Sequence, residues 1–369
     1  MSVNYAATCA FMSCLSFIIP TRDRIDDLDK TLHAINSYPT EQLGNLRPEV
    51  LVIDNASHDR VSQRLHVHNY RNINLNIITL EENIGTAARN IGAQQATGDW
   101  IVMLDDDSAP TGGDFAGTLN DVPDDVGAVG GEIFLTDGNH ESGGLPEVVV
   151  GCGCAIRREV FIQVGGYDPS FDYYAEEYDL CAKLIQAGHR ILHTDSVRFE
   201  HRKVIQGRDF AAILFRLVRN NAWVIARHCP VHLSEGVLEA MMERYCAIAK
   251  KEGVEDAYQR AVVEVQAGIR DQQSIPLSTE QWRRFSGVDA ASRLVNKLGS
   301  QCVTDVSLVA AGKGEDVIRD QLGDARIQIN PDACTQVIGT LSPGPMLDAQ
   351  RRFPLALAAW SLSTDLLNL

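Results

Sequence analysis

The sequence predicts an α/β protein with a parallel sheet in its first half and a mostly helical second half. Two observations support this prediction. Apolar, strand-like runs alternate with helical periodicity over residues 14–105, and long amphipathic segments replace the strands after residue 209. The 369 residues are enough for two domains. We expect domains at 1–205 and 206–369, with a boundary where this pattern changes.

The first predicted elements alternate between strand and helix. Apolar runs predict strands at residues 14–20, 49–59, 75–81 and 98–105. Helical spacing predicts one helix from Ile25 to about Ile35 and a second, rich in small residues, over 86–96. Strands connected in this way by helices pair in parallel, so their carboxyl ends meet at one edge of the sheet.

The remaining elements are less regular. Residues 126–134 and 147–158 predict two more strands, and the Gly-rich loop between them is expected to be capable of motion. A helix is expected over 176–187, followed by one or two short strands within 190–202. Helices dominate from Asp209 onward, and a strand followed by a helix over 305–322 predicts a small α/β unit near 303–340.

Composition and charge exclude several classes of protein. The net charge of −16 and the pI of about 5.0 argue against a nucleic-acid partner and against docking on anionic lipid. No segment reaches the ~18 consecutive apolar residues of a membrane span, and no basic residue that would mark a signal peptide precedes Arg22. Nine cysteines without a C-x-x-C pair indicate reduced thiols and a cytoplasmic protein.

The strongest local signal is three consecutive aspartates after a predicted strand, in the segment WIVMLDDDSAP. Adjacent carboxylates repel one another, so Asp105, Asp106 and Asp107 favour a bound cation. Asp54 and Thr21 also follow predicted strands, at the edge where α/β sheets bind ligands. A hard divalent ion suits such oxygen ligands, and an extended backbone would point Asp105 and Asp107 the same way. A solvated acidic turn is the simpler alternative.

Four segments in sequence order carry a family resemblance, which extends over about residues 17–202. Together they resemble the family 2 glycosyltransferases, nucleotide-sugar enzymes of the GT-A fold, a Rossmann-like nucleotide-diphospho-sugar transferase domain. The resemblance implies metal-dependent transfer of a sugar from a nucleotide-diphosphate donor to an acceptor nucleophile, with inversion. The segments are SFIIPTRDRIDDLDKTLHAI, VLVIDNASHD, NIGTAARNIGAQQATGDWIVMLDDD and GGYDPSFDYYAEEYDLCAKLIQAGHRI.

The resemblance also implies a set of donor-binding residues. Pro20 and Thr21 match the nucleotide-binding turn of the family, in which Arg22 replaces a common aromatic residue. Asp54 matches a residue that contacts the nucleobase, and Arg89 matches a basic residue near the nucleotide. A solvated helix cation is the simpler explanation of Arg89.

The aspartates match the D-x-D motif of the family. Asp105 is then expected to contact the ribose, and Asp106 to lie in the same nucleotide-sugar site. Asp107 is expected to bind Mg²⁺ or Mn²⁺, and His201 matches a histidine that completes the metal or diphosphate site. A surface histidine on a strand is the simpler explanation of His201.

An acidic pair at the start of a predicted helix matches the site of the catalytic base in inverting members. The second acid of the pair, Glu177, is the expected base, with Glu176 as the alternative. The positive end of a helix dipole stabilises a carboxylate, which predicts an ionised Glu177. The same dipole also explains first-turn acids that have no catalytic role.

Two other functions remain open from the sequence. One is a catalytically idle sugar- or partner-binding protein with a glycosyltransferase fold. The other is a sugar nucleotidyltransferase, although the sequence IIPTRDR lacks the Gly-rich phosphate loop expected there. The predicted partner is a nucleotide-diphosphate sugar, and the acceptor can be a glycan, a natural product, a peptide or a lipid-linked molecule.

Reduced cysteines predict a simple chemical result. When the protein is denatured under non-reducing conditions and titrated with a thiol reagent, nearly all nine cysteines should react. Finding several stable disulfides instead would contradict the predicted reducing compartment.

Overall fold

A nine-stranded mixed sheet organises the first half of the computed structural model, which describes residues 14–203 and 209–360. The spatial order of the strands is β3-β2-β1-β4-β8-β6-β9-β5, and β7 pairs with β6. The strands are β1 (Leu15–Thr21), β2 (Glu49–Asp54), β3 (Asn74–Thr79), β4 (Trp100–Met103), β5 (Ser108–Gly113), β6 (Val126–Leu135), β7 (His140–Glu141), β8 (Cys154–Arg157) and β9 (Arg190–His201).

Six helices accompany this sheet. The first of them buries Leu28, Leu32 and Ile35, at the helical spacing that predicted it. The fourth is capped by Asp114, whose carboxylate accepts a hydrogen bond from the backbone N–H of Gly117. The helices are α1 (Ile25–Asn36), α2 (Val61–Arg64), α3 (Ala88–Gln95), α4 (Phe115–Asn120), α5 (Arg158–Gln163) and α6 (Glu176–Gln186).

The parallel pairing predicted for the first four strands is confirmed. Strand β1 pairs in parallel with β2 on one side and with β4 on the other, and β2 pairs in parallel with β3. In this register Thr21 lies opposite Asp54, and Asp54 lies opposite Thr79. The polar residues that follow these strands therefore meet at one edge of the sheet.

Two predicted strands differ from the structure. The strand expected over 147–158 is limited to β8, because residues 147–153 form irregular backbone and turns around two glycines. The strand β5 was not predicted, because Ser-Ala-Pro after the aspartates has the composition of a turn. It pairs antiparallel with β9, which forms one strand of twelve residues.

Five helices follow in the second half of the chain. Leu214 and Val218 of the first of them pack into the same hydrophobic cluster as Leu180 and Leu184 of α6. The predicted domain boundary near residue 205 lies outside the described residues. The helices are α7 (Phe210–His228), α8 (Val231–Glu252), α9 (Glu255–Gly268), α10 (Thr279–Phe285) and α11 (Val288–Ser300).

A small three-stranded parallel sheet follows these helices, in the order β11-β10-β12. A separate hydrophobic cluster, which includes Val306, Ile318, Val337 and Met346, joins it to its own helices and to α11. The elements are β10 (Asp305–Val309), α12 (Glu315–Asp324), β11 (Gln328–Ile329), β12 (Gln336–Ile338) and α13 (Pro343–Arg352).

Helix α13 and its N-cap residue, Ser342, contact the Gly-rich loop, for which the sequence predicted motion. The backbone N–H of His140 donates to the Asp348 carboxylate at 3.0 Å, and the His140 ring also contacts that carboxylate. The hydroxyl of Ser342 donates to the carbonyl oxygen of Gly143 at 2.8 Å. These contacts fix the backbone of the loop against the C-terminal unit.

Two findings concern the environment of the protein. In residues 14–203 and 209–360, no helix is long and apolar enough to cross a membrane. Eight cysteines in these ranges are free thiols, and Cys9 lies outside the described residues.

A buried asparagine on α7 fixes the backbone that leads into α6. The Asn220 side chain has no exposed surface, and its amide nitrogen donates to the carbonyl oxygens of Phe171, Tyr173 and Tyr174 at 2.9, 2.9 and 2.6 Å. This segment has positive φ angles at Asp172, Tyr174 and Ala175, of 61°, 71° and 65°. Non-glycine residues adopt this conformation only where the surroundings hold it.

Removing the Asn220 amide should destabilise the fold. The variant Asn220→Ala removes a fully buried amide that donates to three carbonyl oxygens, and we expect unfolding to require about 2–4 kcal/mol less free energy. The measurement is urea unfolding followed by circular dichroism.

The neighbouring residue Asn221 provides the control. Its amide donates to Leu217 of its own helix and to the Tyr245 hydroxyl, and its side chain is partly exposed. The variant Asn221→Ala should therefore lose clearly less stability. Equal losses in the two variants would contradict the role of Asn220.

Candidate active site

A cavity of about 660 Å³ lies at the carboxyl edge of the parallel strands. It brings together ten of the eleven residues that the sequence suggested for a site. These residues are Pro20, Thr21, Arg22, Arg89, Asp105, Asp106, Asp107, Glu176, Glu177 and His201. The individual role of each residue stays a prediction.

The three aspartates lie in a turn between β4 and β5 rather than on an extended strand. Strand β4 ends at Met103, and residues 106 and 107 form the turn. The turn nevertheless separates the side chains as expected. Metal-ligating atoms of Asp105, Asp107 and His201 all lie within 4.8 Å of one another. Asp106 instead accepts a hydrogen bond from the Thr21 hydroxyl at 2.8 Å.

One arginine neutralises two of these aspartates. The guanidinium of Arg24 lies 2.9 Å from Asp106 and 2.6 Å from Asp107. Burial raises the pKa of Asp106 to about 7, although the positive charge of Arg24 acts to lower it. Burial also acts on Asp107, but hydrogen bonds from His201 and Arg24 outweigh it and hold the pKa of Asp107 well below its usual range. Asp107 is therefore the carboxylate of this pair that stays ionised.

His201 connects the aspartate turn to the Gly-rich loop. Its Nε2 lies 3.2 Å from Asp107, and its Nδ1 lies 2.5 Å from the carboxylate of Glu141. Burial lowers the pKa of the imidazole, but contacts with Asp107, Cys152 and Glu141 raise it to about 12. Lys203 also contacts Glu141, at 3.0 Å. His201 is therefore part of a network of charges and is not an isolated surface histidine.

Arg89 is buried and points into the cavity. Its side chain is 6% exposed and forms an ion pair with Asp105. The same guanidinium nitrogen donates to the carbonyl oxygens of Leu104 and Gly151, each at 3.3 Å. This position excludes the alternative of a solvated helix cation.

The two glutamates begin α6, as the sequence predicted. Glu176 is buried, and its Oε2 has no hydrogen-bond partner within the described ranges. Glu177 is partly buried, and its Oε1 lies 3.4 Å from the backbone N–H of Gly151. Burial raises the pKa of both carboxyls. Desolvation thus opposes the helix N-terminus, which favours the charged carboxylate, and the ionised state expected for Glu177 stays a prediction.

Asp54 does not line the cavity. Its carboxylate has no exposed surface and accepts hydrogen bonds from the backbone N–H groups of Ser57 and Val61, at 3.0 and 2.9 Å. The next residue, Asn55, lines the cavity instead. Asp54 therefore shapes the turn after β2, and its predicted contact with a nucleobase stays a prediction.

Several residues that line the cavity were not predicted as site residues from the sequence. Arg24 has a local signal, since it follows β1 within the motif TRDR. Glu141, Cys152 and Lys313 have no such signal, because long-range packing brings their segments to the cavity. Sequence spacing cannot predict such contacts.

The fold resembles that of the GT-A glycosyltransferases, in line with the resemblance found in the sequence. A comparison with solved structures supports the fold. GalNAc-T7, solved with UDP, GalNAc and Mn²⁺, superposes with a TM-score of 0.51 over 70% of this chain and 57% of that chain, at 18% sequence identity.

Direct sequence comparisons agree with this resemblance. Residues 16–148 match the family described as Glycosyl transferase family 2. Glycosyltransferase AglE of Haloferax volcanii is 34% identical over 99 residues, which cover 26% of this chain and 31% of that protein. Glucosyl-dolichyl phosphate glucuronosyltransferase of the same organism is 30% identical over 169 residues, covering 37% of this chain and 53% of that protein. The chain thus spans about a third to a half of these relatives.

The chemistry of the donor atoms fits a divalent ion. Two carboxylates and an imidazole can converge on one point at Asp105, Asp107 and His201, and such ligands suit Mg²⁺ or Mn²⁺. A second group, Glu141, Cys152 and His201, shares the histidine. The cations Arg24 and Arg89 contact the same aspartates, which shows that positive charge is stabilised at this turn.

Replacing Asp107 should weaken metal binding. The variant Asp107→Asn keeps the side-chain shape but removes the negative charge, and we expect Mn²⁺ affinity to fall by at least about 10–100-fold. The measurement is titration of the purified protein with Mn²⁺ alone, followed by electron paramagnetic resonance of the free ion.

The exposed residue Asp121 provides a matched control at the end of α4. The variant Asp121→Asn should bind Mn²⁺ like the unaltered protein. If Asp107→Asn also keeps full affinity, the metal lies elsewhere.

Proposed function

We propose that this protein transfers a sugar from a nucleotide-diphosphate donor to an acceptor nucleophile, with inversion at the anomeric carbon and with a bound Mg²⁺ or Mn²⁺. One observation carries the proposal. A single cavity contains a group of potential metal ligands at the strand ends and, separately, a pair of acids at the start of α6. Departure of a diphosphate and removal of a proton from the acceptor need these two kinds of group.

The donor end of the cavity is assigned to the aspartate turn. Asp107 and His201 would hold the ion, and Asp105 would contact the ribose. When bound, the ion offsets the negative charge that develops on the departing diphosphate. Arg22 lines the same end with its guanidinium partly exposed, where it can contact a phosphate or the base. The ion pairs of Arg24 and Arg89 with the aspartates keep the turn in place before the donor binds.

The catalytic base is assigned to Glu177, with Glu176 as the alternative. The acceptor oxygen attacks the anomeric carbon, the bond from that carbon to the phosphate oxygen breaks, and its electron pair leaves with the diphosphate. The acceptor proton moves to the Glu177 carboxylate. A pKa raised by burial makes the ionised carboxylate a stronger base, and the nearby Gly151 N–H orients it. A single displacement inverts the anomeric carbon.

The relatives support the substrate class at a coarse level. GalNAc-T7 was solved with UDP, GalNAc and Mn²⁺, and two curated relatives are a glycosyltransferase and a glucuronosyltransferase by name. The sugar, the nucleotide and the acceptor of this protein stay open. We also propose a reducing, cytoplasmic environment, on the basis of the eight free thiols.

The two alternative functions have less support. A sugar nucleotidyltransferase would need a Gly-rich phosphate loop after β1, and the residues at that point are Thr21, Arg22, Asp23 and Arg24. An idle binding protein would bind a nucleotide sugar without turning it over. Hydrolysis of donors, measured with and without Mn²⁺, separates such a protein from an enzyme.

The variant Glu177→Gln should lose catalysis and keep donor binding. The amide preserves the shape of the side chain but cannot accept the proton, so turnover should fall by about 10²–10⁴-fold. A thermal-shift screen of nucleoside diphosphates with Mn²⁺ first identifies the nucleotide, and its affinity should change little in the variant. The configuration of the product is read from the anomeric proton by NMR.

The adjacent acid is the matched control. The variant Glu176→Gln should have a milder effect, because Glu176 is the alternative base and not the expected one. Near-normal turnover in Glu177→Gln would move the role to Glu176 or to another group. A product of retained configuration would exclude the single displacement.

A further inference from the structure

The C-terminal unit contributes a lysine to the wall of the cavity. Lys313 lies in the connection between β10 and α12 and lines the cavity, far in sequence from the other charged lining residues. Its ammonium group donates a hydrogen bond to the hydroxyl of Tyr178. It also lies 4.7 Å from the centre of the Tyr178 ring. Tyr178 directly follows Glu177 at the start of α6, and both residues line the same cavity as Lys313.

The structure accommodates this lysine through a glycine. A Cβ atom added at Gly144 would lie 2.0 Å from the Nζ of Lys313, so a larger residue at position 144 would displace the lysine side chain. The backbone N–H of Gly144 donates to the Tyr178 hydroxyl at 2.8 Å. The Tyr178 oxygen thus accepts from two donors, and its own O–H is directed away from both. Lys313 is itself exposed, and its contacts with the Tyr178 hydroxyl and ring place its ammonium group at the cavity wall.

The charge of Lys313 has no acidic partner in the parts of the chain that the structure describes, 14–203 and 209–360. The other cations that line the cavity each contact a carboxylate. Their pairs are Arg22 with Asp23, Arg24 with Asp106 and Asp107, Arg89 with Asp105, His201 with Asp107 and Glu141, and Lys203 with Glu141.

The positive charge of Lys313 is not required to neutralise the carboxylate of Glu177, the proposed base. Burial raises the pKa of Glu177, and the positive charge of Arg89 acts to lower it. Asn221, Tyr245 and Ser342, which also line the cavity, are neutral and polar or aromatic. An ammonium group that has no acidic partner and has neutral polar side chains in the same lining favours a ligand with a negative charge.

We propose that Lys313 and the Tyr178 hydroxyl bind an anionic group of the acceptor, a carboxylate or a phosphate. This inference rests on the proposed function and adds to it the chemical class of the acceptor. The ammonium and the phenol O–H both donate to the anion, which places the attacking hydroxyl of the acceptor beside Glu177. Lys313 is thus a specificity-determining residue supplied by the C-terminal unit.

The test is the binding of three related sugars that differ in charge. Glucose, glucuronate and glucose 6-phosphate are titrated into the full chain by calorimetry, with Mn²⁺ and a nucleoside diphosphate present at saturation. The nucleotide occupies the diphosphate site, so an anionic sugar that displaces it is bound at the donor end and overturns the inference. We expect at least one anionic sugar to bind about 10–100-fold more tightly than glucose. Its identity distinguishes a carboxylate from a phosphate.

Two variants test the residue itself. Lys313→Met keeps the length of the side chain without its charge and should abolish the preference for the anionic sugar. Gly144→Ala displaces Lys313 and should reduce the same preference. The control is Lys297→Met, which alters an exposed lysine on α11 and should leave the preference unchanged. An unchanged preference in Lys313→Met, or equal affinity for all three sugars in the unaltered protein, would overturn the inference.

The same samples separate this inference from the proposed function. Binding of the nucleoside diphosphate with Mn²⁺ is measured before any sugar is added. If no nucleotide binds, the proposed function fails, and the inference that rests on it fails too. If the nucleotide binds with equal affinity in Lys313→Met but neither protein prefers an anionic sugar, only the inference about the acceptor fails.

Discussion

The concentration of carboxylates at one edge of the sheet is the constraint on which the rest of the site depends. Asp105, Asp106 and Asp107 lie in one turn, and such a turn is tolerated only if cations oppose it. The cations come from different parts of the fold: Arg24 follows β1, Arg89 lies on α3, and His201 ends β9. The same ion pairs therefore neutralise the turn and connect three elements around it. The geometry of the cavity follows from this balance of charge.

The acids of this cavity differ in their pKa values because only some of them have charged partners that offset the effect of burial. Asp107 has direct charged partners, which hold its pKa low although it is largely buried. Neither Glu176 nor Glu177 forms an ion pair within the described part of the chain, and burial raises the pKa of both. An acid that stays ionised suits a metal ion, and an acid of raised pKa suits the transfer of a proton. Two roles can thus be assigned to side chains of nearly the same chemistry.

The second half of the chain completes the cavity. Asn220 on α7 fixes the backbone before α6, and Asp348 on α13 holds the Gly-rich loop that brings Glu141 to His201. Lys313, from the connection between β10 and α12, is itself part of the cavity wall. The C-terminal helices and the small sheet therefore determine how the first half presents its acids. Residues far from the family 2 segment, 16–148, influence the proposed chemistry.

The sequence by itself determined the alternating strands and helices, the aspartate run and the acidic pair, because these are encoded in local spacing and residue type. The tertiary structure determined the features that no local sequence pattern encodes. Strand β5 exists because β9 pairs with it, and Lys313 reaches the cavity through packing of the C-terminal unit. The pKa of Glu177 is raised because the fold buries it, whereas its position on the helix suggested the reverse. Burial and long-range pairing are properties of the folded chain, so spacing along the sequence cannot supply them.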